Sequence, residues 1–383
     1  MKIIDYLRNN IKFNRHEFAG SFGDIGTDFP LVVGMILAAG LDIPSVFVMF
    51  GVMQIMTGLI YGIPLPVQPL KVMAVIVITQ KLGGNVLYGA GLAIGIIMLV
   101  LSFSGLITAV AKIVPKNVVR GIQFGLGIQL ATLALKDYVA SQGGGGYILA
   151  ILGFLLIIFL MGNKRFPPAP FVILLGIIYA LLFKVSWGKI PPGIGWGLPH
   201  AHVPTKNDVL TGLILLALPQ LPLSLCNSVL ATKQTVEDFF PKKSLSVRKI
   251  GLTYSLMNLL NPFFSGIPTC HGSGGLAGHY TFGARSGGSV VIYGTMYLIL
   301  GLFFSRCFGE VINLFPKPIL GVILVFEGLA LMRLISDIQI KEELAIALLV
   351  GLMAVGLPYG YIIGLLVGTM LNLSKGRWGL IKQ

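Results

Sequence analysis

Two stretches of this sequence combine residue types and spacings that can hold an anion in apolar surroundings. One is Pro64-Leu65-Pro66-Val67-Gln68-Pro69. The other is Pro268-Thr269-Cys270-His271-Gly272-Ser273-Gly274-Gly275. Each leads into an apolar run, near 69–80 and 272–281, about half as long as a membrane crossing requires. A helix that starts at mid-membrane presents free backbone N–H groups and a partial positive charge there, and such an end attracts anions. Two such ends facing each other make a donor-lined cavity suited to a dianion. Gly272, Gly274 and Gly275 let backbone approach a ligand closely; tight helix packing is the alternative use of such glycines.

Other polar residues stand in apolar runs. Gln68, Gln220, Ser224 and Asn227 carry amides and a hydroxyl that donate to an oxyanion without a counter-charge. The spacing of Gln220, Ser224 and Asn227 predicts one shared helix face. Asp24, Asp28 and Lys71 are ionisable residues inside predicted spans, where such groups are costly and usually functional. Lys71 is expected to balance substrate charge or to pair with Asp24 or Asp28, and the two acids to carry a coupling proton. His271 can donate to a substrate or titrate in the working pH range. Glu17 is expected at the membrane interface, and Glu327 away from the two motifs, facing a crevice or a partner.

No Ser/His/Asp set, catalytic carboxylate pair or Cys-rich cluster argues for an enzyme. No metal or cofactor is expected, and His200-x-His202 reads as part of a solvated loop. HGSGGLAG lacks the Gly-Lys-Ser/Thr ending of a phosphate-binding loop. Cys226, Cys270 and Cys307 give no disulfide framework, and Cys226 and Cys270 are expected as free thiols.

The elements that must position these residues are membrane helices. Of the 383 residues 55% are hydrophobic and 11% charged, against about 25% charged in soluble domains. Fourteen segments are predicted near 19–39, 44–62, 69–80, 86–110, 117–135, 147–162, 168–184, 208–231, 250–265, 272–281, 287–307, 316–333, 342–356 and 359–373. With both ends inside, twenty of the 28 Lys and Arg fall on the cytoplasmic side and seven outside, with Lys71 in the membrane. That asymmetry accounts for the net charge of +14 without nucleic acid. It predicts a multi-pass protein of the plasma or inner membrane with cytoplasmic N- and C-termini.

The organisation expected is a cytoplasmic segment at 1–18, a first seven-segment repeat at 19–184 and an extracytoplasmic linker at 185–207. A second, inverted repeat follows at 208–373, then a cytoplasmic tail at 374–383. Broken helices at matching places in inverted halves point to a transporter site near the midplane.

The motifs FGDIGTDFPL, PVQPLKVMAV, LPQLPLSLCNS and PTCHGSGGLAGHYTFGARSGG resemble the signature segments of the molybdate transporter family, a branch of the sulfate permease superfamily. The resemblance spans essentially the whole chain. It implies an all-α polytopic fold of fourteen transmembrane segments in two inverted seven-segment repeats, shared with the uracil–proton symporters. Segments one to four and eight to eleven would form a core domain, and five to seven and twelve to fourteen a gate. The site would lie between half-helices three and ten, flanked by segments one and eight, at Asp24, Gln68, Gln220, Asn227, Cys270 and His271. With the residues read above, the substrate-binding set is Asp24, Gln68, Lys71, Gln220, Ser224, Asn227, Cys270, His271, Gly272, Ser273 and Gly274. The coupling set is Asp24, Asp28 and His271.

The implied activity is secondary active transport of a tetrahedral oxyanion, molybdate first, coupled to protons and working by alternating access. Tungstate and sulfate are related substrates. A sulfate transporter and a passive anion channel are the alternatives. A nucleobase carrier would be expected to use a mid-membrane carboxylate that segments eight and ten lack. The expected partners are the oxyanion, protons and membrane lipid; a homodimer is allowed, and no nucleic acid is expected. Two departures stand out. Asp28 occupies a position where the family pattern leads to an apolar or hydroxyl residue, and no regulatory domain is expected after the last span.

Overall fold

The computed structural model describes residues 2–109, 115–161, 168–184, 195–305 and 315–374. Cys307, the tail beyond 374 and residues 185–194 of the predicted linker lie outside the described residues. Helix ends follow the local chemistry. Short helices α1 (Lys2–Asn10) and α2 (Arg15–Gly20) precede the apolar part. The next two, α3 (Ile25–Ala39) and α4 (Ile43–Tyr61), stop at Gly40 and Gly62. Both glycines cap in the left-handed region, φ 62° and 59°, where residues with a Cβ are strained.

A three-residue strand, β1 (Val67–Pro69), leads into α5 (Lys71–Gln80), and α6 (Gly84–Ser104) completes the first group. Then come α7 (Lys116–Leu133), α8 (Gly143–Leu160) and α9 (Pro168–Phe183). The helical run α10 (Lys206–Phe239) precedes α11 (Val247–Leu260), strand β2 (Thr269–His271) and α12 (Ser273–Thr281). The last four helices are α13 (Gly288–Phe303), α14 (Lys317–Arg333), α15 (Lys341–Gly356) and α16 (Gly360–Leu373).

Among the described residues, α3–α16 fall at the fourteen predicted segments. Five stretches are long and apolar enough to span a membrane alone, and α3, α5, α13 and α16 are among the shorter apolar helices. The ten residues of α5 rise about 15 Å, half a hydrocarbon core. Val72 to Ile78 are all at most 1% exposed, so α5 is apolar all round and enclosed by other helices.

Two boundaries differ from expectation. The first segment is broken: Gly20 ends α2, and a turn at 21–24 precedes α3. The eighth runs on to Phe239 and carries π-helical turns at Leu213–Ala217 and Ser224–Ala231. Pro219 and Pro222 cannot donate to the helical ladder, which accounts for irregular winding here.

The helices pack in two groups. In one, α3 lies against α5, α4 against α13, and α6 against α10 and α11. A Cβ built on Gly51 of α4 would stand 2.6 Å from the Gly294 carbonyl of α13, so glycine is what permits that contact. In the other group α7 lies against α14, α15 and α16, and α14 also meets α8 and α9. Contact between the groups is sparser and includes α14 and α9 against α3, and α5 against α7.

Candidate functional site

The two irregular stretches meet in the interior. β1 and β2 pair antiparallel, with Val67 opposite His271, Gln68 opposite Cys270 and Pro69 opposite Thr269. The two strands therefore form one short ribbon, from whose opposite ends α5 and α12 start. Each strand is clamped by one buried amide. Gln54 of α4 donates to the Val67 carbonyl (2.6 Å) and accepts from its N–H (2.8 Å). Asn258 of α11 donates to the Thr269 carbonyl (2.6 Å) and accepts from its N–H (3.0 Å). Neither amide is exposed. Backbone this deep in an apolar bundle needs such partners. Sequence reasoning passed over both residues, although each is an amide in an otherwise apolar run, in the second and ninth segments.

The two helix starts are not equivalent. At α5, the Gln220 side-chain carbonyl accepts from the N–H groups of Val72 (2.9 Å) and Met73 (3.4 Å). Gln220 in turn donates to Ser224 (3.1 Å), whose hydroxyl meets that of Tyr254 (2.7 Å). Gln220, steadied by Ser224, thus caps α5 rather than leaving its donors open. At α12, no side chain caps the helix, and among the described residues no backbone acceptor meets the N–H groups of Ser273, Gly274 or Gly275. Gly274 is exposed, with no atom within 4 Å of a Cβ built on it. The open anion-attracting end is therefore α12.

Asn227 separates from Gln220 and Ser224. The π-helical winding after Leu223 alters the expected spacing, and Asn227 is half-buried, accepting from the Ser273 hydroxyl at 3.3 Å. The shared face is thus divided: one part caps α5 and the other borders α12.

Asp24 is 4% exposed and accepts from Gln68 Nε2 at 2.6 Å. It packs over the first turn of α12, since a Cβ on Gly275 would stand 2.3 Å from Asp24 Oδ2. Gly272 gives the same clearance to the Gln68 side chain, at 1.7 Å from its Oε1. Asp28, one turn along α3, is fully buried. Its Oδ2 accepts from Tyr293 at 3.4 Å, and its Oδ1 has no partner.

Lys71 pairs with neither aspartate. Its Nζ lies 3.2 Å from Glu327 Oε1 on α14, with the two side chains 22% and 10% exposed. Glu327, expected away from the motifs, therefore meets the third-segment motif through Lys71. His271 is not brought in with Gln68. It stands on the alternate face of β2 from Cys270, with Nε2 2.8 Å from the Thr253 hydroxyl and its ring edge-on to Tyr61. Cys270 shares the face of Gln68 and is buried. Glu17 is not interfacial; it is 2% exposed and accepts from the backbone N–H groups of Arg285, Ser286 and Ser289, capping α13.

Paired mid-bundle strands that each start a short helix, inside a bundle of apolar helices, define a multi-pass membrane fold. Solved structures share that fold. The transmembrane domain of the cyanobacterial bicarbonate transporter BicA matches with a TM-score of 0.64 and 16% identity, over 94% of this chain and 98% of that one. The murine anion transporter Slc26a9 in its inward-facing state matches at 0.72 and 13%, over 98% and 70%.

The profile of the family described as "Molybdate transporter of MFS superfamily" matches residues 16–130 and 212–331. Molybdate transporter 1 of Arabidopsis thaliana is 32% identical over 95% of this chain and 89% of its own length. The chain belongs to this molybdate transporter family and is a transporter, not an enzyme. The family description places it in the MFS superfamily, whereas the fold seen here is that of BicA and Slc26a9.

Proposed function

We propose that this protein is a secondary active carrier of a tetrahedral oxyanion, with molybdate as the preferred substrate and protons as the coupling ion. The substrate would sit at the start of α12. Ser273, Gly274 and Gly275 offer backbone N–H groups, Ser273 and Asn227 offer side-chain groups, and Lys71 offers charge. Gln68 holds Asp24 at the rim. The named activity of the Arabidopsis relative supports molybdate over sulfate.

The observation that carries the reading is the uncapped α12 start under Asp24, together with Lys71, which pairs with Glu327 and whose charge also acts on Asp24 and Asp28. With Asp24, Asp28 and Glu327 all ionised, one ammonium faces three negative charges, and a dianion adds two more. Like charges gathered in a weakly screened interior repel strongly. The oxyanion is accommodated when protons neutralise carboxylates, so anion and proton travel together. Movement of α3–α6 with α10–α13 against α7–α9 with α14–α16 would provide alternating access.

The test is uptake of radioactive molybdate into proteoliposomes under an imposed pH gradient, with tungstate and sulfate as competitors. Saturable uptake driven by the inward proton gradient is expected. Flux that neither saturates nor responds to the gradient would mean a passive channel.

A further inference from the structure

We propose that Glu327 is a built-in competitor of the oxyanion and the group that takes the coupling proton. This rests on the oxyanion reading of the α12 site given above. The observation is the Lys71–Glu327 pair at 3.2 Å, which joins two packing groups. Lys71 opens α5, which packs on α3; Glu327 lies mid-way along α14, which packs chiefly on α7 and α8.

The exchange follows from charge. With the site empty, Glu327 occupies the ammonium that a bound oxyanion would use. An arriving oxyanion is drawn to the open N–H groups of α12 and to Lys71, and it displaces the carboxylate. Glu327 is then a buried anion without its cation, a costly state that a proton relieves. The proton goes to a carboxylate oxygen of Glu327 and the ammonium stays charged. One oxyanion bound is thus one proton taken up, and the tie between α5 and α14 is released in the same step.

Among the described residues Glu327 makes no other ion pair; the turn Ala134–Tyr138 against α14 carries Lys136, Asp137 and Tyr138, and none of them pairs with it. From α3 it faces Asp24 and Asp28, which repel it. On α7, Lys116 and Arg120 are held by Asp337. The titratable groups of α8 and α9 are the tyrosines Tyr147 and Tyr179.

The experiment is calorimetric titration of the purified full chain with molybdate in buffers of different ionisation enthalpy, from about pH 6 to pH 8, spanning ordinary carboxylate and histidine titration. Wild type should take up about one proton per molybdate and bind more weakly as pH rises. Glu327→Gln should bind about tenfold more tightly at the upper pH, within the usual range of coupling between sites. It should also lose the proton uptake and the pH dependence.

Lys71→Gln should weaken binding, and Glu327→Gln should bring no gain in that background. If Glu327→Gln keeps wild-type affinity and proton uptake, the proposal is overturned. If it binds more weakly, Glu327 merely positions Lys71, and the proposal is equally overturned. Loss of the oxyanion site itself would show differently: Lys71→Gln would then bind molybdate as wild type does. Glu327→Leu, an apolar side chain that brings no buried amide, repeats the comparison.

Discussion

Replacing Gln54 with leucine removes both partners of the Val67 main chain, the donor at 2.6 Å and the acceptor at 2.8 Å. Two scales compete for the size of the effect. Side-chain hydrogen bonds between membrane helices average about 0.6 kcal/mol, because the unfolded helices find other partners. A buried backbone group left unsatisfied costs about 1–3 kcal/mol. Val67 is not in a helix and is fully buried, so neither its N–H nor its C=O has a substitute nearby. The second scale applies, and two groups give roughly 2–6 kcal/mol.

The chain relieves that cost by opening locally, and Gln68 is the next residue. Hydrogen exchange across residues 62–70 should therefore accelerate, and molybdate affinity should fall with it. Gln54→Glu keeps the acceptor and should recover protection at the Val67 amide only in part. Asn258→Leu should do to Thr269 what Gln54→Leu does to Val67. If Gln54→Leu stays within about 0.6 kcal/mol of wild type with unchanged exchange, the clamp does not hold β1 and the reasoning is wrong.

Gly274→Ala should leave thermal stability unchanged, because nothing lies within 4 Å of its Cβ, yet lower molybdate affinity by intruding on the anion space; binding and melting curves on one sample check both. Gly275→Ala should displace Asp24 and the neighbouring Pro66 ring, reducing transport and stability together. Gln220→Leu should cost about 1 kcal/mol, as loss of a helix cap does, seen as a lower melting temperature in detergent, because Val72 and Met73 lose their acceptor. At the surface, hydrogen bonds from Arg120 and then Lys116 hold the Asp337 carboxyl below the usual range. The sign follows: stability from this cluster is complete above the ordinary carboxylate pKa of about 3.9 and is lost as pH falls through the depressed value. Asp337→Asn should remove that part of the acid dependence, read from melting temperature against pH.

Composition and apolar run length placed all fourteen helices, because a membrane leaves the backbone few other options. The short third and tenth segments were visible for the same reason: PLPVQP and PTCHGSGG cannot continue a helix. What the sequence concealed depends on contacts across the fold. Lys71 and Glu327 are 256 residues apart, and nothing local links them, so Glu327 read as a residue away from the motifs. Glu17 looked interfacial from its place before an apolar run, yet the N–H groups of Arg285, Ser286 and Ser289 bury it. The spacing of Gln220, Ser224 and Asn227 assumed α-helical winding, which the π turn starting at Ser224 breaks. His271 sits one residue beyond Cys270 in an extended strand, and the alternation of strand side chains turns it toward Thr253. Gln54 and Asn258 were legible, since each is an amide within a largely apolar segment, the second and the ninth, but only the irregular strands explain why they are needed.

The central claim is that an oxyanion binds at the open start of α12 beside Lys71. Its most direct test is a structure of the protein with molybdate, using the anomalous signal of molybdenum to locate the ion. The account predicts a single strong peak within hydrogen-bonding distance of the N–H groups of Ser273, Gly274 and Gly275, with Lys71 turned from Glu327 toward it. An ordered peak elsewhere, or one in this place with the Lys71–Glu327 pair intact, would contradict it.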